Sequence, residues 1–274
     1  MSWALLADAA EATRFGGKAA GLARAIRAGL PVPPGVAIAW PAVEAAAARD
    51  PGAEAALRSL PVPGEPGDGV AVRSSAVDED GGRTSFAGQH ATLLNVGADG
   101  ILDAVLAVWR SGRSDAALAY RRRLGVPTPA RMGVVVQRLV PADVAGVLFT
   151  RNPIDGSDEL LIESSWGLGE AVVDGRVIPD RYRLSPSGAV LEATPGRKDV
   201  ALHPSAGGGS AEVAVGTAAV DALSLAGSHL AELHALALRC EAAFGAGQDI
   251  EWAFADGAVH LLQVRPLTTL GSSS

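Results

Sequence analysis

Apolar residues recur at helical spacing over residues 19–28, with Leu22, Ala25 and Ile26 on one face, and the pattern stops at Gly29 and Pro31. Residues 36–39 form a short apolar run of strand character. Pro41 suits the first turn of a helix continuing through Glu44 to Arg49. Residues 61–69 are rich in Pro and Gly and read as a loop. Val70-Ala71-Val72 is a strand that ends at Arg73-Ser74-Ser75. From Asp78 to Gln89 there is no period and too much glycine for a core element, so a mobile polar loop is expected. Residues 101–109 and 115–124 carry helical patterns.

Residues 125–131 form a natural boundary. Beyond it, residues 132–140 and 144–150 resemble two adjoining strands, and 159–163 a third. Gly167-Leu168-Gly169-Glu170 is a turn, and 177–184 is extended but interrupted by Pro179. Gly207-Gly208-Gly209 reads as a flexible connection, and 218–244 as one long helix or a broken pair. The pattern closes on two short strands, 249–252 and 263–266, with a turn at 255–257. The expected class is mixed α/β (α+β), with a first lobe over 1–130, a second over 131–270, and 271–274 as a linker or added tail.

Composition changes this picture little. The 274 residues are long enough for two lobes; 48% are hydrophobic and 19% charged, as in a folded globular chain. The net charge of -7 argues against nucleic acid as the main partner, because that binding draws on phosphate neutralisation. A few local arginines still suffice to reverse the field around one phosphate compound. The single Cys240 excludes a disulfide framework, and its apolar helical setting reads as a buried thiol. No basic start with a long apolar run and no membrane-length apolar stretch is visible, so a cytoplasmic protein is expected.

The candidate chemistry concentrates in the last strand pair. On alternate positions of paired strands, Glu251, Gln263 and Arg265 can face the same way. A carboxylate and an amide oxygen suit magnesium, and a guanidinium suits phosphate. Lys18, after Gly16-Gly17 and at a helix start, is either a phosphate contact or an exposed lysine. Arg73 is either a ligand-facing charge or an ordinary strand-end arginine. Thr84, Ser85, Phe86, Ala87, Gly88 and Gln89 read as a lid over triphosphate or as a solvated loop. His90, just beyond, has no second base beside it, and a structural role is favoured. Gln137, in an otherwise apolar strand, either reads an adenine edge or satisfies a neighbouring backbone group. Glu170 can take a ribose hydroxyl or aid a metal, and Arg151-Asn152-Pro153 is a turn that presents a charge. His203, His229, His234 and His260 show no zinc spacing.

Taken in order, the stretches 15–22 (FGGKAAGL), 72–76 (VRSSA), 84–89 (TSFAGQ), 146–153 (GVLFTRNP), 166–170 (WGLGE), and 249–252 (DIEW) with 263–266 (QVRP) resemble the ATP-binding domain of phosphoenolpyruvate synthase, pyruvate phosphate dikinase and rifampin phosphotransferase. The resemblance runs from about residue 14 to 269. It implies an ATP-grasp-like fold, with ATP and Mg2+ as cofactors. It further implies phosphate contacts from Lys18 and Arg73, a cover from Thr84 to Gln89, an adenine-side strand with Gln137, and a ribose-side Glu170. Glu251 and Gln263 would hold magnesium, and Arg265 would stabilise the terminal phosphates. Catalytic roles would thus fall to Lys18, Arg73 and Arg265.

The sequence also departs from that family. The relatives continue into a swivelling domain whose histidine carries phosphate, whereas this chain stops just past Pro266 and shows no Gly-rich Ser-His or Cys-His segment. It is short between about 193 and 220, and its cover loop lacks a Leu-Pro pair. One reading is a subunit that phosphorylates a histidine carrier on a separate partner protein. A second is a stand-alone kinase or ligase acting on a small molecule. A third is a regulatory module or excised domain. The acceptor and the oligomeric state are not encoded in any pattern recognised here; no nucleic-acid or membrane partner is expected.

Overall fold

The computed structural model describes residues 2–64, 68–78 and 91–267. These divide into two compact units, the first within Met1–Arg27, Pro33–Leu139 and Ser205–Gly209, the second within Ala28–Val32, Val140–Pro204 and Ser210–Ser274.

The first unit is built from β1 (Trp3–Leu5), α1 (Ala12–Phe15), α2 (Gly17–Arg27), β2 (Gly35–Ile38), α3 (Trp40–Ala47), α4 (Pro51–Arg58), β3 (Val70–Ala76), β4 (Thr92–Val96), α5 (Ile101–Ser111), α6 (Asp115–Leu124) and β5 (Met132–Arg138). Its five strands form a sheet in the order β1-β2-β5-β3-β4, every pair antiparallel. One face is the core. Val36, Ile38, Val70, Val72, Ala76, Met132, Val134 and Val136 meet Val43 and Ala46 of α3, Leu57 of α4, and Ile101, Val105 and Val108 of α5. The helix starts are chemically marked. Asp50 accepts from Ala53 N at 2.7 Å with Pro51 in the first turn, and Ser114 accepts from Ala117 N at 3.2 Å. Gly125, left-handed at φ 67°, ends α6. Because β5 lies between β2 and β3, residues 132–138, expected in the second lobe, belong to the first unit's sheet.

The second unit contains β6 (Val144–Phe149), β7 (Leu160–Trp166), α7 (Glu170–Val173), β8 (Asp180–Leu184), β9 (Val190–Thr194), β10 (Val200–Pro204), β11 (Ser210–Ala214), α8 (Thr217–Val220), α9 (Gly227–Phe244), β12 (Gln248–Ala255) and β13 (Ala258–Pro266). Six strands form an antiparallel sheet, β13-β12-β6-β7-β8-β9, while β10 and β11 make a separate hairpin. Gly207-Gly208-Gly209, expected as a flexible connection, lies in the turn of that hairpin. The 218–244 region is a broken pair, α8 and α9. Leu230, Leu233, Leu236, Ala237 and Cys240 form the buried stripe of α9.

A buried ion pair ties the far side of this unit together. Lys198 Nζ lies 2.5 Å from Asp180 Oδ1, and both side chains are fully enclosed (0% exposed). Asp180 also accepts from Gly196 N (2.8 Å), Ser224 N (2.7 Å) and Ser224 Oγ (2.7 Å), and the Ser224 hydroxyl meets Ser164 Oγ at 2.7 Å. Every carboxylate lone pair that burial removes from water is thereby re-satisfied, which a buried charge requires. Among the described residues no helix is long and apolar enough to cross a membrane.

Candidate functional site

In the second unit the site is set by register. Glu251 of β12 stands directly opposite Gln263 of β13, and Asp249 directly opposite Arg265. Directly opposed residues of an antiparallel pair share a face, as do positions two apart, so all four side chains project from one face. Ile250, Trp252 and Phe254 take the other face, and Trp252 meets Phe254 edge-on with ring centroids 5.6 Å apart.

The register changes between Glu251 and Trp252. Glu251 pairs with Gln263 but Trp252 with Leu261, so Leu262 is an extra residue in β13. This β-bulge lets Leu261 and Val264 both turn to the apolar side while Gln263 and Arg265 stay on the polar one. A regular strand through the same sequence would send His260 and Leu262 inward instead.

Two rows of residues extend the polar face across the sheet. The first runs Gln263, Glu251, Val147, Glu163, Arg181; the second runs Arg265, Asp249, Phe149, Leu161, Arg183. Asp249 Oδ2 accepts from Arg265 Nε at 2.8 Å and Nη2 at 2.6 Å, which fixes the guanidinium plane. At the far ends, Arg181 reaches Glu163 at 3.0 Å, and Arg183 binds Glu159 at 2.8 Å and Glu192 at 3.0 Å. The Arg183 guanidinium holds both carboxyls below their ordinary range; Asn152 assists at Glu159 and Thr194 at Glu192. Arg183 is itself raised, chiefly by its bonds to Glu159.

In the first unit, Arg73 and Gln137 lie on one face of the sheet, and Lys18 lies in the first turn of α2. On β3, Arg73 and Ser75 alternate with the core-facing Val72 and Ser74 neighbours, and Gln137 pairs with Ala71 of the same strand. Gly16 makes close packing possible: a Cβ built there would lie 1.9 Å from Ser75 O, and its φ of 87° is left-handed. Ser75 Oγ accepts from Ala19 N at 3.0 Å, anchoring the start of α2. Lys18 is only 9% exposed and Arg73 only 8%. The alternative of an ordinary exposed lysine therefore does not hold. Arg73 is not at a strand end either, since β3 runs on to Ala76. Gln137 Nε2 donates to Pro33 O at 3.0 Å, an internal backbone bond.

Glu170 opens the four-residue α7, and its Oε2 accepts from Ser210 Oγ at 2.9 Å. Arg151 is paired with Asp158 at 3.6 Å, while its neighbour Asn152 is buried and bonds Glu159 at 2.7 Å and Ile154 N at 2.9 Å. Thr84, Ser85, Phe86, Ala87, Gly88 and Gln89, and His90 beside them, lie outside the described residues. Cys240 is fully buried, and burial pushes its thiol up to about 12, so it is not a nucleophile at neutral pH. Sequence alone assigns Asp249 no separate role. Its position two before Glu251 is the signal that places it on the same face.

The donor set on the second unit's polar face fits a hard cation. Glu251 and Gln263 offer oxygen ligands side by side, and magnesium takes few protein ligands, filling its shell with water and phosphate oxygens. Among the described residues there is no cluster of three or more His, Cys, Asp or Glu of the kind an all-protein metal cage uses.

Comparison with known proteins gives these residues a context. A probable phosphoenolpyruvate synthase from Methanothermobacter thermautotrophicus is 41% identical over 208 residues, covering 75% of this chain and 30% of that protein. The prodigiosin synthesizing transferase PigC of Serratia marcescens is 38% identical, covering 94% of this chain and 32% of its own. The chain thus spans less than a third of the length of either relative. The solved D-alanyl-alanine synthetase A of Vibrio cholerae aligns over 97% of this chain and 58% of its own at 14% identity and a TM-score of 0.40, too weak a likeness to support an argument. The family model described as "Pyruvate phosphate dikinase, AMP/ATP-binding domain" matches residues 52–274, and the chain belongs to that family.

Proposed function

We propose that this chain is the ATP-binding component of a phosphotransferase, which takes Mg-ATP and passes a phosphoryl or pyrophosphoryl group to a histidine carrier on a separate partner protein. The observation that carries the reading is the β12–β13 register, with Glu251 across from Gln263 and Asp249 across from Arg265 on one face. Phosphoryl transfer asks little covalent chemistry of a protein; it needs positioning and charge neutralisation. Glu251 and Gln263 are the proposed magnesium ligands; the ion would draw charge from the phosphate oxygens. Arg265 neutralises the terminal phosphates, held in plane by Asp249. Lys18 and Arg73, both buried, are proposed as phosphate contacts. Gln137 is assigned to the adenine side: with its Nε2 bonded to Pro33 O, its amide oxygen is the group proposed to accept from a base amino group. Glu170 is assigned to the ribose. The antiparallel sheet in each unit supports an ATP-grasp-like fold.

Calorimetry with Mg-ATP tests the site. Glu251→Gln and Arg265→Ala are expected to weaken binding about ten- to a hundredfold, the size of a lost charge-assisted interaction. Cys240→Ser is expected to bind as wild type. Unchanged binding and turnover in Arg265→Ala would sink the phosphate assignment.

A further inference from the structure

The polar face of the second unit is held in register from behind. β6 ends at Phe149, which pairs with Asp249. The next residue, Thr150, is only 3% exposed. Its backbone N donates to Gln248 O at 2.9 Å, and its hydroxyl accepts from Gln248 N at 2.9 Å. The same hydroxyl donates to Glu241 Oε1 on α9 at 2.6 Å. Glu241 Oε1 also accepts from Gly247 N at 3.2 Å, and Gln248 Nε2 donates to Gly245 O at 3.0 Å. One carboxylate oxygen and one hydroxyl thus fix the last turn of α9, the link through Gly247, and the first residue of β12.

That first residue directly precedes Asp249. The first pair of a strand frays most readily, because it has neighbours on one side only. The link itself is permissive: Gly245 and Gly247 have φ of 92° and 75°, both positive, so the backbone there does not impose a path. The side-chain bonds supply the restraint that the glycines lack. A threonine hydroxyl can serve both as donor and as acceptor; serine can do the same, and valine, of equal shape, can do neither.

We propose that Thr150 and Glu241 are positioning residues for the nucleotide site: they lock the entry of β12 so that Asp249 stays opposite Arg265 and holds its guanidinium for the phosphates. This rests on the Mg-ATP reading above. Neither residue lies on the polar face, and neither acts on the ligand directly.

The test combines ligand-free hydrogen exchange with two probes, Mg-ATP and metal-free AMP, on the full chain. In Thr150→Val, amide protection over 248–251 is expected to fall about tenfold, and the Kd for Mg-ATP to rise about tenfold, while AMP binds within about twofold of wild type. Thr150→Ser is expected to restore both. Equal weakening for AMP and Mg-ATP would make the role merely structural and overturn the proposal. So would wild-type Mg-ATP affinity in Thr150→Val, or failure of Thr150→Ser to rescue. If Thr150→Val does not fold, Glu241→Gln carries the comparison: it keeps an acceptor oxygen but loses the charge, and must show the same split at about threefold. Reduced protection in Thr150→Val beside a wild-type chain that binds no Mg-ATP would refute the nucleotide reading, and the positioning role with it, while leaving the lock on β12 standing.

Discussion

Arg183 shows how single side chains set the charge pattern of the sheet. It bonds Glu159 through Nε and Nη2 and Glu192 through Nη1, and both carboxyls are held below their ordinary value of 4.5. A depressed carboxyl contributes stability that is fully present above its unfolded value and lost as the pH falls through the folded one. The contribution of Glu159 and Glu192 is therefore expected to persist down to about pH 4.5 and to disappear below it. Carboxyl titration by NMR should place both midpoints under the ordinary value in the wild type, and Arg183→Gln should move both upward. Midpoints that stay put in that variant would remove Arg183 as the cause.

At the scale of elements, the limiting feature is how closely β6 approaches β7. Gly146 pairs with Ser164, and a Cβ built on it would lie 1.9 Å from Glu163 O, which is backbone and has no rotamer to yield. Gly146→Ala is expected to cost about 2–3 kcal/mol, the range of a forced overpacking, read as a lower urea midpoint. An unchanged midpoint would mean the two strands separate more easily than their pairing suggests. The elements that sequence made legible include those with a buried stripe or run, such as α2, α5, β3, β5 and β6. β9 and β11 left no such trace because every residue in them is exposed, so no alternation was written into them. α4 was legible in principle, from Asp50 followed by Pro51, but the alanines around it blur its period with that of α3. For the site, alternation was enough to group Glu251, Gln263 and Arg265. The Leu262 bulge and the Thr150–Glu241 bond were not legible, since each depends on a partner far along the chain.

For the molecule as a whole, the proposed reaction turns on which group accepts the phosphate. The chain spans 30% of a probable phosphoenolpyruvate synthase and 32% of PigC, so those proteins hold long stretches that have no counterpart in it. If a separate carrier supplies the accepting histidine, labelled Mg-ATP with this chain alone should give no sustained turnover. Adding the carrier should move label onto its histidine, with AMP and phosphate as products of the dikinase-like route and ADP as the product of simple kinase chemistry. Steady ATP cleavage with a small metabolite and no carrier would contradict the partner model. The family match also gives the bulge at Leu262 a meaning beyond packing. Phase there is set by the bulge and not by length alone: were Leu262 paired as part of a regular strand with Leu261 kept behind Trp252, Val264 would come forward and Gln263 and Arg265 would be hidden. When chains of this family are aligned, a one-residue gap at Leu262 is therefore permissive, because a regular pairing without that residue still sets Leu261 opposite Trp252 and Gln263 opposite Glu251.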